Sequence, residues 1–223
     1  MSVLLETRIR RRPKLKLGPE VNGIVMTHQE FDDATSFTEG YRYELIRGVL
    51  IVSPPILAEE RGPNQLLGHR LLTYQETHPQ GSVIDLTLPE EQILVRLDRR
   101  RADRAIWIGL GRMPDLNVDI PAIVIEFVSA AKSDAIRDYE TKRSEYLSIP
   151  SIQEYWIIDR FLREMLVVRR TPTGLEDVLI VAGAIYRTPR LPGFELAVTE
   201  LFQVAENLTK SRSPKSKRAK KKS

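Results

Sequence analysis

The clearest pattern along the chain is a short apolar run, Pro121–Val128, with one carboxylate, Glu126, set into it. A run this short and this rich in β-branched residues predicts a buried strand rather than a helix. Burying an unpaired carboxylate costs several kcal/mol or shifts its pKa strongly. Glu126 therefore needs a partner, which could be a basic side chain, a second carboxyl that shares a proton, or a metal ion.

The patterns on either side of this run predict a mixed α/β chain. Two apolar runs around Arg47-Gly48 predict a β-hairpin. Thr27 and Glu30 form a capping box, which predicts a short helix ending near Thr35. Hairpins outnumber crossovers, so the order is not that of a βαβ array. The other predicted elements are helices at 63–78, 134–147 and 199–206, a charged turn at 99–104, and strands at 82–86, 92–96, 105–108, 154–159, 164–169 and 175–187.

Charge is distributed unevenly along the 223 residues, whose net charge is +4. Residues 1–19 carry six Lys/Arg and one Glu (+5), residues 209–223 carry eight Lys/Arg and no acid (+8), and the remainder is 4 − 13 = −9. We predict a basic disordered N-terminal arm at 1–19, one folded domain at 20–208, and a lysine-rich disordered tail at 209–223. The ends suit a polyphosphate partner, although solubilising tails are an equal alternative.

Composition narrows the chemistry that is available. The absence of cysteine excludes disulfides, thiolate zinc sites and thiol nucleophiles, and fits a reducing compartment. The N-terminus lacks an apolar signal region, and no apolar run approaches the length of a membrane span. We therefore predict a cytoplasmic protein with no membrane partner. The three histidines show no metal-ligand spacing.

Three carboxylates, Glu44, Asp103 and Glu126, lie in or beside apolar strands. If those strands are neighbours, the carboxylates converge and need a cation. Mg²⁺ is the natural one, because it takes one or two carboxylates together with water and phosphate oxygens. The alternative for each residue alone is an ion pair, since Glu44 is close in sequence to Arg42 and Asp103 follows a run of arginines.

The predicted helix after Glu126 places Asp138, Lys142 and Tyr146 on one face. One interpretation is a surface Asp138–Lys142 pair worth a few tenths of a kcal/mol. The other is a lysine aimed at the carboxylates, where it stabilises charge that develops on a phosphoryl group or orients the attacking water.

These residues resemble the PD-(D/E)XK nuclease superfamily, which is restriction-endonuclease-like, and in particular its Uma-type branch. The likeness runs from about residue 26 to residue 202 and leaves out the tails. The segments that carry it are Met26-Thr27 with Glu30-Phe31, Tyr43-Glu44-Leu45-Ile46-Arg47-Gly48, Ala102-Asp103, Val124-Ile125-Glu126-Phe127-Val128-Ser129, Asp138 to Lys142 with Tyr146, Ile149-Pro150-Ser151, and Glu154-Tyr155-Trp156-Ile157-Ile158-Asp159.

The resemblance implies an α/β (α+β) fold with a mixed β-sheet flanked by helices and extra antiparallel hairpins. It implies a divalent-metal site, with Mg²⁺ or Mn²⁺ held by Asp103 and Glu126 and completed by Glu44. Ala102 stands where the family has a proline, and Val128 stands where the superfamily has its lysine. Lys142 resembles the relocated lysine of this branch, and Lys132 is a second candidate.

The implied function is a metal-dependent endonuclease that hydrolyses phosphodiester bonds in DNA, with Glu44, Asp103, Glu126 and Lys142 as catalytic residues. DNA is the expected partner, through the metal site and the basic ends. The alternative is a catalytically inactive member that binds nucleic acid or a protein, and a structural protein is the third option. The oligomeric state stays open, with a homodimer among the states considered.

Overall fold

The structure is a computed structural model, and it describes residues 16–130 and 136–212. Residues 1–15 of the predicted arm, residues 213–223 of the predicted tail, Lys132 and the start of the helix predicted at 134 lie outside the described residues. The described parts of the arm and tail are ordered, because Leu17 is buried, a short 3₁₀ helix begins at Pro19, and residues 209–212 belong to the last helix. The helices are α1 (His28–Asp32), α2 (Ala58–Thr77), a π-helical segment (Arg137–Lys142) that continues into α3 (Arg143–Leu147), and α4 (Val198–Arg212). The strands are β1 (Arg42–Ile46), β2 (Val49–Ser53), β3 (Ile84–Val95), β4 (Asp98–Ile108), β5 (Ile123–Phe127), β6 (Glu154–Asp159), β7 (Glu164–Thr171), β8 (Gly174–Val181), β9 (Ile185–Tyr186) and β10 (Leu196–Ala197). None of the described helices is long and apolar enough to cross a membrane.

The chain divides into two compact units, and the first contains the residues up to Pro55 together with Leu97–Arg99. Within it, β1 and β2 form the predicted antiparallel hairpin. Arg47 and Gly48 both have positive φ, 51° and 74°, as a two-residue hairpin turn requires. The predicted capping box is confirmed at the start of α1. The Thr27 side chain accepts a hydrogen bond from the main-chain N–H of Glu30, and the Glu30 side chain accepts one from the main-chain N–H of Thr27.

The second unit contains Ile56–Arg96 and the chain from Arg100 onward. Its sheet has the order β4-β5-β6-β7-β8, and β3 pairs with β4. The β5–β6 pair is parallel, while β4–β5, β6–β7 and β7–β8 are antiparallel. A parallel pair needs a crossover, and here the π-helical segment and α3 lie between β5 and β6.

Helices cover both faces of this sheet. On one face, Leu67 and Leu71 of α2 and Leu201 and Phe202 of α4 pack against the core that includes Ile125. On the other face, Tyr146 and Leu147 of α3 pack with alternate residues of the same strands, such as Val124 and Tyr155. The mixed sheet flanked by helices, predicted from the sequence, is confirmed.

The largest differences from the predicted elements concern β3, β4 and the helix starts. The two short strands predicted at 82–86 and 92–96 are one strand of twelve residues, β3, with Glu90 at φ 54° inside it. Helix α2 begins at Ala58, earlier than predicted, and Pro63, where the helix was predicted to start, lies in its second turn. The charged turn predicted at 99–104 is strand, since Arg99 and Arg100 are buried against carboxylates, Asp32 and Glu145 respectively.

Candidate active site

The site begins with the pairing of β4 and β5 in the second unit. Their antiparallel register sets Arg104 opposite Ile125. Continued by one step along both strands, this register sets Asp103 opposite Glu126, and opposed residues of an antiparallel pair point to the same face with Cβ atoms about 5 Å apart. The negative charge of Asp103 also acts on Glu126, as this placement requires. Two of the carboxylates predicted to converge are therefore neighbours.

Asp103 and Glu126 are both buried, with exposed fractions of 6% and 2%. The main-chain N–H of Phe127 donates a 2.7 Å hydrogen bond to Oδ2 of Asp103. A charge-assisted bond of this length fixes the orientation of the carboxylate. The residue after Glu126 thus holds the carboxylate opposite Glu126 in place.

Lys142 reaches this pair from the π-helical segment. Its Nζ lies 2.8 Å from Oε1 of Glu126 and 3.4 Å from Oδ1 of Asp138, and all three side chains are nearly inaccessible to solvent. The surface Asp138–Lys142 pair, one of the two interpretations of this spacing, is thus wrong, because the pair is buried and extends to Glu126. Lys142 points at the carboxylates, as the relocated lysine of the resemblance would.

Two tyrosines complete the hydrogen bonding. The Tyr146 hydroxyl donates to Oε1 of Glu126 at 3.1 Å, the same oxygen that Lys142 contacts. The Tyr155 hydroxyl donates to the main-chain oxygen of Asp138 at 3.0 Å. The helical segment that carries Lys142 is therefore tied to the sheet on both sides of the ammonium group.

Burial dominates the electrostatics of the cluster. Desolvation raises the pKa of Glu126 well above its ordinary value, Lys142 opposes this rise, and the negative charges of Asp103 and Asp138 reinforce it. Desolvation also raises the pKa of Asp138, again against the pull of Lys142. Three close carboxylates with one ammonium group favour uptake of a further positive charge, whether a proton or a metal cation.

A second buried network supports Asp103 from the opposite face of the sheet. Asn64 on α2 donates from Nδ2 to the main-chain oxygen of Asp103 at 2.7 Å. Arg104 donates to Oδ1 and to the main-chain oxygen of the same Asn64, at 2.7 and 3.0 Å. Burial lowers the pKa of Arg104 to about 10. Gly68 gives this guanidinium its room, since a Cβ there would lie 2.8 Å from the Arg104 Cζ.

Two further residues were predicted for the site, Glu44 and Lys132. Glu44 is buried on β1, opposite Ile51, and belongs to the first unit. Lys132 is not among the described residues. Within residues 16–130 and 136–212, no group of three or more His, Asp or Glu side chains is arranged to hold a metal ion. The pair Asp103–Glu126 is thus what the structure offers, and the three-carboxylate site with Glu44 stays a prediction.

Some of the supporting residues had a signal in the sequence and others did not. The helical spacing of Asp138 and Tyr146 with Lys142 placed both on the face of the lysine. Tyr155 lies in the Glu-Tyr-Trp segment, but its bond to Asp138 depends on the crossover geometry. Asn64 carries no sequence signal, because it meets Asp103 across 39 residues of chain.

The fold is that of a restriction-endonuclease-like protein of the PD-(D/E)XK superfamily. A solved structure described as "a putative nuclease belonging to DUF820 from Anabaena variabilis" is similar, with a TM-score of 0.60 and 17% identity, over 81% of this chain and 99% of that chain. The Uma2 family, described as "Putative restriction endonuclease", matches residues 28–199, and the chain belongs to this family. Comparison with curated proteins gave no match. Family membership supports a nuclease function in general terms.

Proposed function

We propose that the protein is an endonuclease that hydrolyses phosphodiester bonds in DNA and depends on Mg²⁺ or Mn²⁺. The observation that carries the proposal is the buried Asp103–Glu126 pair with Nζ of Lys142 at 2.8 Å from Oε1 of Glu126. Restriction-endonuclease-like nucleases generally use divalent metals, and the family supports nucleic acid as the partner.

The donor set fits a hard divalent cation. Mg²⁺ takes one or two carboxylates and completes its octahedron with water and phosphate oxygens, so two opposed carboxylates suffice. When ionised, Asp103, Glu126 and Asp138 carry −3 and Lys142 carries +1, so the buried cluster has a formal charge of −2. A divalent cation balances that charge, and when bound it polarises the phosphodiester and lowers the pKa of water.

Each residue of the cluster has a role that its contacts support. Asp103 and Glu126 would hold the cation, with Asp103 oriented by the Phe127 N–H. Lys142 would orient the attacking water or stabilise charge on the phosphoryl oxygens. Tyr146 holds Glu126 in place through its 3.1 Å bond. Glu44 is proposed to support the site as well.

The second candidate is a catalytically inactive member that binds nucleic acid or a protein. Its supporting observation is the deep burial of the cluster, in which Lys142 already neutralises Glu126. Val128 at the place of the superfamily lysine points the same way.

Cleavage of plasmid and linear DNA in the presence of Mg²⁺ or Mn²⁺ tests the proposal. The wild type and the exposed control Asp177→Asn should cleave, while Glu126→Ala and Lys142→Met should lose at least about a hundredfold in rate. Equal cleavage by the wild type and Glu126→Ala, or no cleavage by either with any metal and substrate, contradicts the enzyme and leaves the binding protein. Deletion of residues 213–223 should weaken DNA binding and reduce its salt dependence.

A further inference from the structure

The turn between β6 and β7, residues Arg160–Arg163, exposes two large apolar side chains. We call this segment the β6–β7 tip. Phe161 is 53% exposed and Leu162 is 64% exposed. Oδ1 of the buried Asp159 accepts hydrogen bonds from the N–H groups of Phe161 and Leu162, at 2.7 and 3.0 Å. The two apolar side chains are therefore presented on a turn whose backbone is held in place.

The β6–β7 tip lies at the same edge of the sheet as the candidate site. Strands β5 and β6 are parallel, with Glu126 beside Ile157 and Phe127 beside Ile158. Phe161 follows Ile157 by four residues, part of them in a turn, so it lies about 10 Å beyond Glu126 along the strand direction. Each strand of B-form DNA advances about 3.4 Å per nucleotide along the helix axis, so in a duplex this distance corresponds to about three nucleotides.

Basic and acidic groups both lie beside the exposed ring, and Arg160 is 3.9 Å from Oε1 of Glu60. The guanidinium carbon of Arg160 lies 4.6 Å from the centroid of Phe161. Arg160 and Phe161 line a groove together with the last turns of α4, which contribute Thr209 and Lys210, and Glu206 is the acidic member of this lining. Helix α4 ends at Arg212, and residues 213–223 carry six further Lys/Arg and no acid.

This combination favours a polyanion with flat apolar faces over a second protein chain. A stable protein interface needs about 800 Å² from each partner, and two side chains of this size supply a minor part of that. Aromatic side chains beside cationic ones are what single strands and unstacked bases bind. The candidate carboxylates and the tip share the edge of the sheet at which the parallel strands β5 and β6 end.

We propose that the β6–β7 tip is a DNA contact, in which Phe161 stacks on a base about three nucleotides from the bond that is cut. Arg160 and Lys210 contact the neighbouring phosphates. The inference rests on the proposed function for the identity of the substrate, but it is tested by binding alone.

Binding of labelled single-stranded and duplex DNA, followed by fluorescence anisotropy with a chelator present, separates this contact from catalysis. Phe161→Ala should weaken binding about 5- to 150-fold without changing the salt dependence, since stacking releases no counterions. Arg160→Gln should reduce the salt slope by about one. Leu175→Ala, which removes an equally exposed side chain from β8, should bind within twofold of the wild type, a change of about 0.4 kcal/mol at most. If Phe161→Ala loses more affinity for single-stranded DNA than for duplex DNA, the stacked base is unpaired, and the reverse result shows that the base belongs to a duplex.

Phe161→Trp supplies a direct readout, because the native Trp107 and Trp156 are buried. Its emission should be quenched by saturating DNA. Unchanged affinity of Phe161→Ala with unquenched emission of Phe161→Trp overturns the inference, and so does a wild type that binds no DNA. A dimer that dissociates on Phe161→Ala while DNA affinity is unchanged also overturns it, in favour of a second copy of the chain. If the protein binds DNA through Phe161 but does not cleave it in Mg²⁺, only the proposed catalysis is rejected. If Phe161→Ala cleaves DNA and binds it with full affinity, only the proposed DNA contact of the β6–β7 tip is rejected.

Discussion

Replacement of Lys142 by methionine tests whether the buried ammonium group holds the carboxylate cluster together. The change keeps the approximate length of the side chain and removes its charge. Nζ lies 2.8 Å from Glu126 and 3.4 Å from Asp138. At an effective dielectric constant of about 20, the two attractions are about 6 and 5 kcal/mol. Desolvation of the ions offsets much of this, and removal of one partner from a buried pair typically costs about 3–5 kcal/mol.

We therefore expect Lys142→Met to lower the free energy of unfolding by about 3–5 kcal/mol in metal-free buffer. Urea unfolding with an unchanged m-value measures this loss. Lys210→Met, an exposed lysine on α4, is the matched control and should stay within about 0.5 kcal/mol. In the background of Glu126→Gln, the cost of Lys142→Met should shrink by more than about 1 kcal/mol, because one of the two stranded carboxylates is gone.

A loss of a few tenths of a kcal/mol would refute this reasoning. That is the value of a solvent-exposed i,i+4 pair, which is the interpretation that helical spacing alone allows. Full additivity of Lys142→Met and Glu126→Gln would likewise show that the two groups do not interact as the 2.8 Å distance requires.

Three further predictions concern the same region. Tyr146→Phe removes the hydroxyl that donates to Glu126 and should cost about 1.5–3 kcal/mol in urea unfolding, whereas a loss under about 0.5 kcal/mol would speak against the bond. Gly68→Ala should lower the free energy of unfolding, because the added methyl group displaces the Arg104 guanidinium. At an open helical position the same change raises the free energy of unfolding by about 1 kcal/mol, so a more stable Gly68→Ala protein would contradict the packing. Because folding raises the pKa of Glu126, its contribution to stability is complete below its unfolded pKa of 4.5 and is lost as pH rises through the folded pKa. In metal-free buffer the wild type should thus lose stability relative to Glu126→Gln as pH rises above about 5, and a constant difference between the two would contradict the shift.

Local signals in the sequence predicted much of the fold. The hairpin at Arg47-Gly48 and the capping box at Thr27 are decided by neighbouring residues, and both are present as predicted. The turn predicted from the charges at 99–104 is wrong. Arg99 and Arg100 pair with Asp32 and Glu145, which are far away in sequence, and can therefore be buried in a strand. Long-range pairing of this kind leaves no local signature.

The sequence predicted which residues belong to the site, but not how they pair or how deeply they are buried. An acid inside an apolar run identified Glu126, and helical spacing placed Asp138 and Tyr146 with Lys142. The opposition of Asp103 and Glu126 depends on strand register, and the burial of Lys142 depends on the crossover between β5 and β6. The Asn64–Arg104 network joins α2 to β4 and could not be read from either segment alone.

Titration of the metal-free protein with Mn²⁺ tests the central claim most directly, which is that Asp103 and Glu126 together hold a divalent cation. Calorimetry should show one site in the wild type and in the exposed control Asp177→Asn. Asp103→Asn and Glu126→Gln, each folded as judged by urea unfolding, should each lose that site. Binding of Mn²⁺ that survives both substitutions unchanged, or a wild type that binds none at millimolar concentration, would contradict the account.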